Sequence, residues 1–344
     1  MPLGVSVIIC TYNGATRIPE TLRHLGLQQV PRNIQWEIIL IDNASTDDTS
    51  IVAKEEWSKY NIHNVDFKVL QEELPGKSYA FAKGIKAAEY EYILTCDDDN
   101  WLYPNYIFTA FNIMQSDPSI GVLGGCGIFE PEQPMWPEIQ KFKISYVNGP
   151  QIWAATDHWV YGAGSVYKKN VLVSFYEQGW VNITAGRTGT KQISGEDVEI
   201  CFMFFLSGYK IMANNQLLFK HYVPVNRQNL NYILNLHFWQ SYSYVMLSSY
   251  IMLIDQDKQT IQKKIDNWFI FILKALIVQV IKSTYQKLTA RQSENIDQIF
   301  AQQSYYGAIY SIYQNRKKII NNYHHIKYIL NKDETADSLI HKTI

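Results

Sequence analysis

The sequence predicts an α/β fold: a mostly parallel sheet flanked by helices, followed by a helical C-terminal region. Three observations carry this. Short, continuous apolar runs alternate with helix-length segments through residues 1–225, the pattern of a parallel sheet with crossover helices. All 11 prolines lie at or before Pro224, and of 18 glycines only Gly307 lies after Gly208, so the remainder reads as helix with few breaks. Charge also shifts, from a net of −6 over residues 1–254 to +5 over 255–344. The boundary is placed near Asn226, giving domains of residues 1–225 and 226–344.

The elements follow in order. Val5-Ser6-Val7-Ile8-Ile9-Cys10 is a strand apolar on both faces, and Ile18 to Gln28 is a helix with Leu22, Leu25 and Gly26 toward a core. Trp36 to Ile41 is the second strand, and Ser45-Thr46-Asp47-Asp48 supplies caps for a helix running to Lys59. Asp66 to Leu70 is a third strand, Ser78 to Tyr90 a helix, and Tyr92 to Cys96 a fourth strand. In such sheets ligands bind beyond the carboxyl ends of the strands. That rule points to Thr11–Gly14, Asp42–Ser45 and Asp97–Asn100.

Composition narrows the class. The chain has 344 residues, 47% hydrophobic and 18% charged, with 31 Lys+Arg against 32 Asp+Glu. This excludes a disordered chain and a disulfide scaffold. A net charge of −1 gives no support for nucleic-acid binding. The four cysteines, Cys10, Cys96, Cys126 and Cys201, sit in apolar runs without CxxC spacing and read as reduced core thiols of a cytoplasmic protein. Met1 to Cys10 lacks a basic n-region, so no signal peptide is expected.

The strongest chemical signal is Cys96-Asp97-Asp98-Asp99-Asn100, directly after an apolar strand. Three adjacent carboxylates repel one another. A hard divalent cation, Mg²⁺ or Mn²⁺, removes that cost.

At these residues the chain resembles a family 2 glycosyltransferase of the GT-A fold. The resemblance rests on Ser6-Val7-Ile8-Ile9-Cys10-Thr11-Tyr12-Asn13-Gly14, on Ile41-Asp42-Asn43-Ala44-Ser45-Thr46-Asp47-Asp48-Thr49, on Asp97-Asp98-Asp99 as a DxD-type motif, and on Ser194-Gly195-Glu196-Asp197 as the later Glu-Asp motif. These occur in the family's order within residues 3–225. The Gln-x-x-Arg-Trp motif of processive synthases is absent from the sequence, which favours transfer of a single sugar.

The resemblance implies roles at the matched positions. Thr11, Tyr12 and Asn13 line the nucleotide pocket, Asp42 accepts a hydrogen bond from the base, commonly uracil, and Asp97 and Asp98 hold the ribose and the phosphate–metal unit. Asp99 ligates Mn²⁺ or Mg²⁺, with Asp97 and a late histidine, His221, completing the protein's share. Asp197 is the general base beside Glu196, and inversion at the sugar carbon follows. Trp159, Tyr161, Gly162, Ala163 and Gly164 border donor and acceptor. Arg187, in a basic loop, closes over the diphosphate. The expected donor is a nucleotide-sugar, UDP-linked by preference, and the acceptor a glycan or lipid-linked hydroxyl in polysaccharide or glycan biosynthesis.

One departure stands out. Family members often carry Arg-Asn in the helix after the third strand, where this chain has Phe81-Ala82. Lys77 is the substitute cation for the nucleotide, and Arg227 a second one for the diphosphate. Gly76-Lys77-Ser78 is not a P-loop, because Gln71 stands where that motif needs glycine. Two other classes fit less well: a nucleotidyltransferase, which would show a Gly-rich basic loop where Thr11-Tyr12-Asn13-Gly14 stands, and a catalytically silent sugar-binding protein, which would have lost the acidic motifs.

In the C-terminal part, Leu236–Ile254 and Trp268–Ile281 are the most apolar runs. Neither has the ~20 apolar residues of a spanning helix. Two readings stay open: core helices packing on the catalytic domain, or a monotopic face at the inner side of the cell membrane.

Overall fold

The structure is a computed structural model that describes all residues except 61, 63, 136, 141, 185, 187–190, 289–295 and 341–344. Its elements are β1 (Gly4–Thr11), α1 (Ile18–Gly26), β2 (Gln35–Asn43), α2 (Thr49–Ser58), β3 (Asp66–Glu72), α3 (Lys77–Ala87), β4 (Tyr92–Thr95), β5 (Asn100–Leu102), α4 (Tyr106–Ser116), β6 (Ile120–Pro131), α5 (Pro137–Gln140), α6 (Ala154–Asp157), β7 (Val166–Lys168), α7 (Lys169–Glu177), α8 (Glu196–Leu206), β8 (Lys210–Val223), α9 (Leu230–Met246), α10 (Ser248–Ile254), α11 (Ile261–Leu288) and α12 (Ile296–Ile340). They form two compact units. Met1–Glu177 with Ile200–Gln228 make the first, and Gln178–Glu199 with Asn229–Ile344 the second.

The first unit is built on one eight-stranded sheet of order β3-β2-β1-β4-β7-β6-β8-β5. The β3-β2-β1-β4 half is wholly parallel, with Val7 of β1 opposite Ile38 of β2 and Leu94 of β4. Apolar residues on both faces drive this: Val5, Val7, Ile8, Ile9 and Ile38 to Ile41 are all at most 1% exposed. The other half is mixed. β7 runs antiparallel to both β4 and β6, β6 and β8 are parallel, and β5 is antiparallel to β8. The sheet is therefore the mixed, helix-flanked sheet of a GT-A type fold. Glu37 is buried in β2 and is met by Ser6 Oγ (2.7 Å), the Glu89 amide (2.7 Å) and Lys68 Nζ (2.9 Å), which satisfies the charge it carries inside. The four cysteines are free thiols, three of them buried.

The second unit is helical. Along α12 the buried residues Ala308, Ile312, Asn315, Ile319, Ile326 and Ile329 recur at steps of three, four or seven, one stripe of a helix. Gly307 explains the one late glycine. A Cβ there would lie 2.0 Å from the Phe238 carbonyl oxygen, so α9 and α12 cross in contact only because it is absent. Among the described residues no helix is long and apolar enough to cross a membrane.

Candidate functional site

The acidic turn lies at the carboxyl end of β4, in the middle of the sheet. Asn100, fully buried, staples it: the Asp97 amide donates to Asn100 Oδ1 (3.1 Å) and the Asn100 amide to the Asp97 carbonyl (3.0 Å). The chain leaves as β5, whose antiparallel register with β8 sets Asn100 opposite His221. The Tyr222 amide donates to the Asp99 carbonyl at 2.9 Å. Strand register thus carries a histidine 122 positions further along the chain to the acidic turn.

Each of the three carboxylates meets a different cation. Lys77 Nζ is 2.8 Å from Asp97 Oδ1. Arg17 grips Asp98 with a two-point fork, Nε to Oδ1 at 3.0 Å and Nη2 to Oδ2 at 2.8 Å. Arg227 Nη1 is 3.0 Å from Asp99 Oδ2. The mutual repulsion read from the sequence is relieved here by three basic side chains. Lys77 and Arg227, expected on the nucleotide, are seated on the acidic turn. Arg17 precedes Ile18-Pro19 at the start of α1 and belongs to no sequence motif.

Asp98 is nearly buried. Burial lifts its carboxyl above the ordinary range, while the Arg17 fork, the nearby Thr11 hydroxyl (2.5 Å) and the Arg17 charge pull against it. Gly14 is required here: a Cβ would lie 2.1 Å from Thr11 Oγ1 and 2.7 Å from Asp98 Oδ2.

The ends of β1 and β2 form one linked surface. Asn13 and Ala44 both adopt the left-handed region, at φ 47° and 58°, which costs energy at a non-glycine residue. Asn13 is tied across by its amide to Ser45 Oγ (2.9 Å) and by Oδ1 from the Thr46 amide (2.8 Å). Asp42 lies beneath. Burial pushes its carboxyl up, but hydrogen bonds from Ser45, Ser50 and Gln71 outweigh that and hold it below its ordinary range. Its oxygens accept from the Ser45 amide, Ser50 Oγ and Gln71 Nε2 at 3.1, 2.6 and 3.0 Å. Tyr12 stands 57% exposed at the end of β1. Asn43 fixes the turn before α3, accepting from the Gly76 amide (2.7 Å) and donating to the Leu74 carbonyl (2.6 Å), which sets Lys77 in place.

For a divalent ion the residues present are Asp99 and His221, whose Nε2 is 3.8 Å from Asp99 Oδ1. His221 Nδ1 donates to the Tyr146 carbonyl, so in the neutral ring Nε2 carries the lone pair. Asp97 does not join them; it is held by Lys77, and among the described residues no three His, Cys, Asp or Glu side chains gather at one point. The set of Asp97, Asp99 and His221 expected from the sequence is thus only two-thirds assembled. One carboxylate and one imidazole nonetheless fit Mn²⁺ or Mg²⁺, which commonly take further ligands from substrate phosphates.

The Trp159–Gly164 segment packs beside the end of β4. Tyr161 is turned inward, its hydroxyl accepting from the Gly127 amide at 2.7 Å. Gly162 accepts from Thr95 Oγ1 through its carbonyl, and the Gly164 amide donates to the Thr95 carbonyl at 2.9 Å. Gly164 has φ +71°, and a Cβ would meet Tyr106 Oη at 2.4 Å. Ala163 is buried, and Trp159 lies half-buried against Trp153, ring centroids 5.2 Å apart. Packing thus accounts for the glycine at Gly164.

Glu196 and Asp197 open α8, after Gly195 turns the chain at φ +111°. Their negative charge suits a helix N-terminus. Both are half-buried and belong to the second unit. One helical turn on, Glu199 is fully buried, a position that no motif marks. It accepts from the amides of Ile183 (2.8 Å) and Thr184 (2.7 Å), from Thr184 Oγ1, and from the Tyr250 hydroxyl (2.8 Å). Tyr250 in turn accepts from Trp180 Nε1 at 2.9 Å. Arg187 lies outside the described residues.

Comparison with known proteins follows the same lines. A dolichyl N-acetyl-alpha-D-glucosaminyl phosphate 3-beta-D-2,3-diacetamido-2,3-dideoxy-beta-D-glucuronosyltransferase of Methanococcus voltae is 26% identical over 226 residues, 63% of this chain and 66% of that one. A poly-beta-1,6-N-acetyl-D-glucosamine synthase of Staphylococcus epidermidis is 24% identical over 74% of this chain and 61% of that one. The chain thus spans less than two thirds of the length of either relative. In fold it is similar to the mannosyltransferase PcManGT from Pyrobaculum calidifontis, solved with GDP-Man and Mn²⁺, at a TM-score of 0.54 and 16% identity over 95% of this chain and 86% of that one. Residues 6–174 match the model of glycosyl transferase family 2, and that segment of the chain belongs to the family.

Proposed function

We propose that the protein is an inverting glycosyltransferase that moves one sugar from a nucleotide-diphosphate sugar to an acceptor hydroxyl in glycan or polysaccharide synthesis. The observation that supports it is the acidic turn with its three cations. A diphosphate is an anion that Lys77 and Arg227 can take up in exchange for Asp97 and Asp99. That exchange frees Asp99 for a divalent ion, together with His221; when bound, the ion stabilises the charge developing on the leaving diphosphate. Arg17 stays on Asp98 and keeps the turn in shape.

In this reading residues 1–225 are the catalytic domain and 226–344 a helical extension. Thr11, Tyr12, Asn13 and Asp42 line the nucleotide pocket, where the exposed Tyr12 ring offers a stacking face to the base. Trp159 and Gly162–Gly164 border the sugar. Asp197, beside Glu196, takes the proton from the acceptor hydroxyl as that oxygen bonds to the anomeric carbon, and the nucleoside diphosphate departs from the opposite face. A lipid-linked or glycan acceptor agrees with the names of the two relatives. The test is Asp197→Asn. Transfer should fall at least ~100-fold with the donor Kd nearly unchanged. Equal loss of both removes Asp197 from the role of base.

A further inference from the structure

The second unit carries an apolar surface that the transferase reading does not use. Along α11, Ile270, Phe271, Ile277, Val278, Ile281 and Tyr285 are each 50–69% exposed. They fall on one broad face of the helix, at steps of three, four and seven. Exposed apolar area of this extent marks a site of contact with another phase or molecule. The face continues into a groove of about 520 Å³ lined by Tyr244, Trp268, Phe271, Ile272 and Tyr305. Tyr244 and Trp268 stack there, ring centroids 6.0 Å apart.

Charge identifies the occupant. From residue 267 to 288 the sequence holds Lys274, Lys282 and Lys287 and no acid. Lys274 stands exposed on the apolar face itself, between Ile270 and Ile277. A second copy of the chain is a poor fit, because a two-fold contact would set this lysine-bearing face against itself, and the nearest carboxylate on α11, Asp266, is already paired with Arg316. An anionic lipid surface suits both features: acyl chains take the aliphatic side chains, and lysine stems lie along them with the ammonium groups at the headgroups. Among the described residues no helix can span a bilayer, so α11 would lie in the interface plane.

We propose that α11 is a membrane-docking helix that seats the second unit on an anionic bilayer, with an acyl tail entering the groove beside Phe271. The inference stands apart from the transferase reading, and its test measures lipid binding, not activity.

The full chain is sedimented with phosphatidylcholine vesicles made with and without phosphatidylglycerol. It should bind the anionic vesicles and not the neutral ones, and salt should weaken binding. Lys274→Gln with Lys282→Gln should lower the partition coefficient about thirtyfold at low salt. Phe271→Glu with Ile277→Glu should lower it more than about tenfold. These side chains are exposed, and the melting temperature of each variant checks the fold. Hydrogen exchange on the unaltered chain gives a second reading: amides of 268–285 should gain protection with anionic vesicles. Absence of binding to anionic vesicles, or binding that neither variant moves, overturns the proposal. So does a dimer in sedimentation that the glutamates dissociate, since that assigns the face to a second copy.

Discussion

Arg227 and Asp99, 128 residues apart, meet at 3.0 Å on the edge of the acidic turn, with the imidazole of His221 3.8 Å from the other carboxylate oxygen. Under the proposed function, the pair holds Asp99 until a phosphate takes Arg227 and leaves the carboxylate to an ion. Asp99→Asn keeps a hydrogen bond to Arg227 and removes the charge. Transfer should drop at least ~100-fold, and Mn²⁺ should no longer strengthen donor binding. Calorimetric titration with and without Mn²⁺ checks this; an unchanged metal dependence contradicts it.

Arg17 is expected to be structural. Arg17→Gln removes the fork from Asp98, a carboxylate with 10% of its side-chain surface exposed. Leaving such a charge without its partner should cost about 2 kcal/mol, below the 3–5 kcal/mol of a fully buried pair. Urea unfolding measures it, and a change under about 0.5 kcal/mol would show the pair to be ornamental.

Gly307→Ala reverses the usual rule. Glycine to alanine inside a helix normally stabilises by about 0.5–1 kcal/mol. Here the new Cβ meets the Phe238 carbonyl at 2.0 Å, so the melting temperature should fall by several degrees. A rise would mean that α9 and α12 are not in contact at this point.

Glu199 should make stability depend on pH. Burial raises its carboxyl to about 7, against the pull of the Thr184, Ile183 and Tyr250 donors. An unfolded glutamate titrates near 4.5. Between these values the folded state binds more protons, so Glu199 lowers stability as pH climbs from about 4.5 to about 7, by on the order of 3 kcal/mol, and no further above. Melting temperatures taken across that window should show Glu199→Gln lacking this fall. Parallel curves for the two proteins would refute the shift.

The parallel half of the sheet was legible because its signal is local. The run Val5–Cys10 became Gly4–Thr11, and Trp36–Ile41 became Gln35–Asn43, since strands buried on both faces read as unbroken apolar runs. The antiparallel strands were not. β5 and β7 have three residues each, too few for any period, and they exist through pairing with β8, β4 and β6. The acidic turn was visible for the same reason as β4, but its cations were not. Arg17, Lys77 and Arg227 come from three separate elements, and only tertiary structure sets each beside one aspartate. Glu199 carries no sequence signal because a buried acid in a helix looks in sequence like an exposed one.

Under the proposed function, the ends of β1, β2 and β4 form a nucleotide-sugar site completed by a divalent ion. Thermal unfolding of the full chain against a panel of UDP- and GDP-sugars, with and without Mn²⁺, tests it most directly. A ligand at ~100 Kd stabilises by about 2.7 kcal/mol, which a melting curve resolves. At least one nucleotide-sugar should give a shift that depends on Mn²⁺ and disappears in Asp99→Asn. No shift with any donor, or one indifferent to both metal and Asp99, would contradict it.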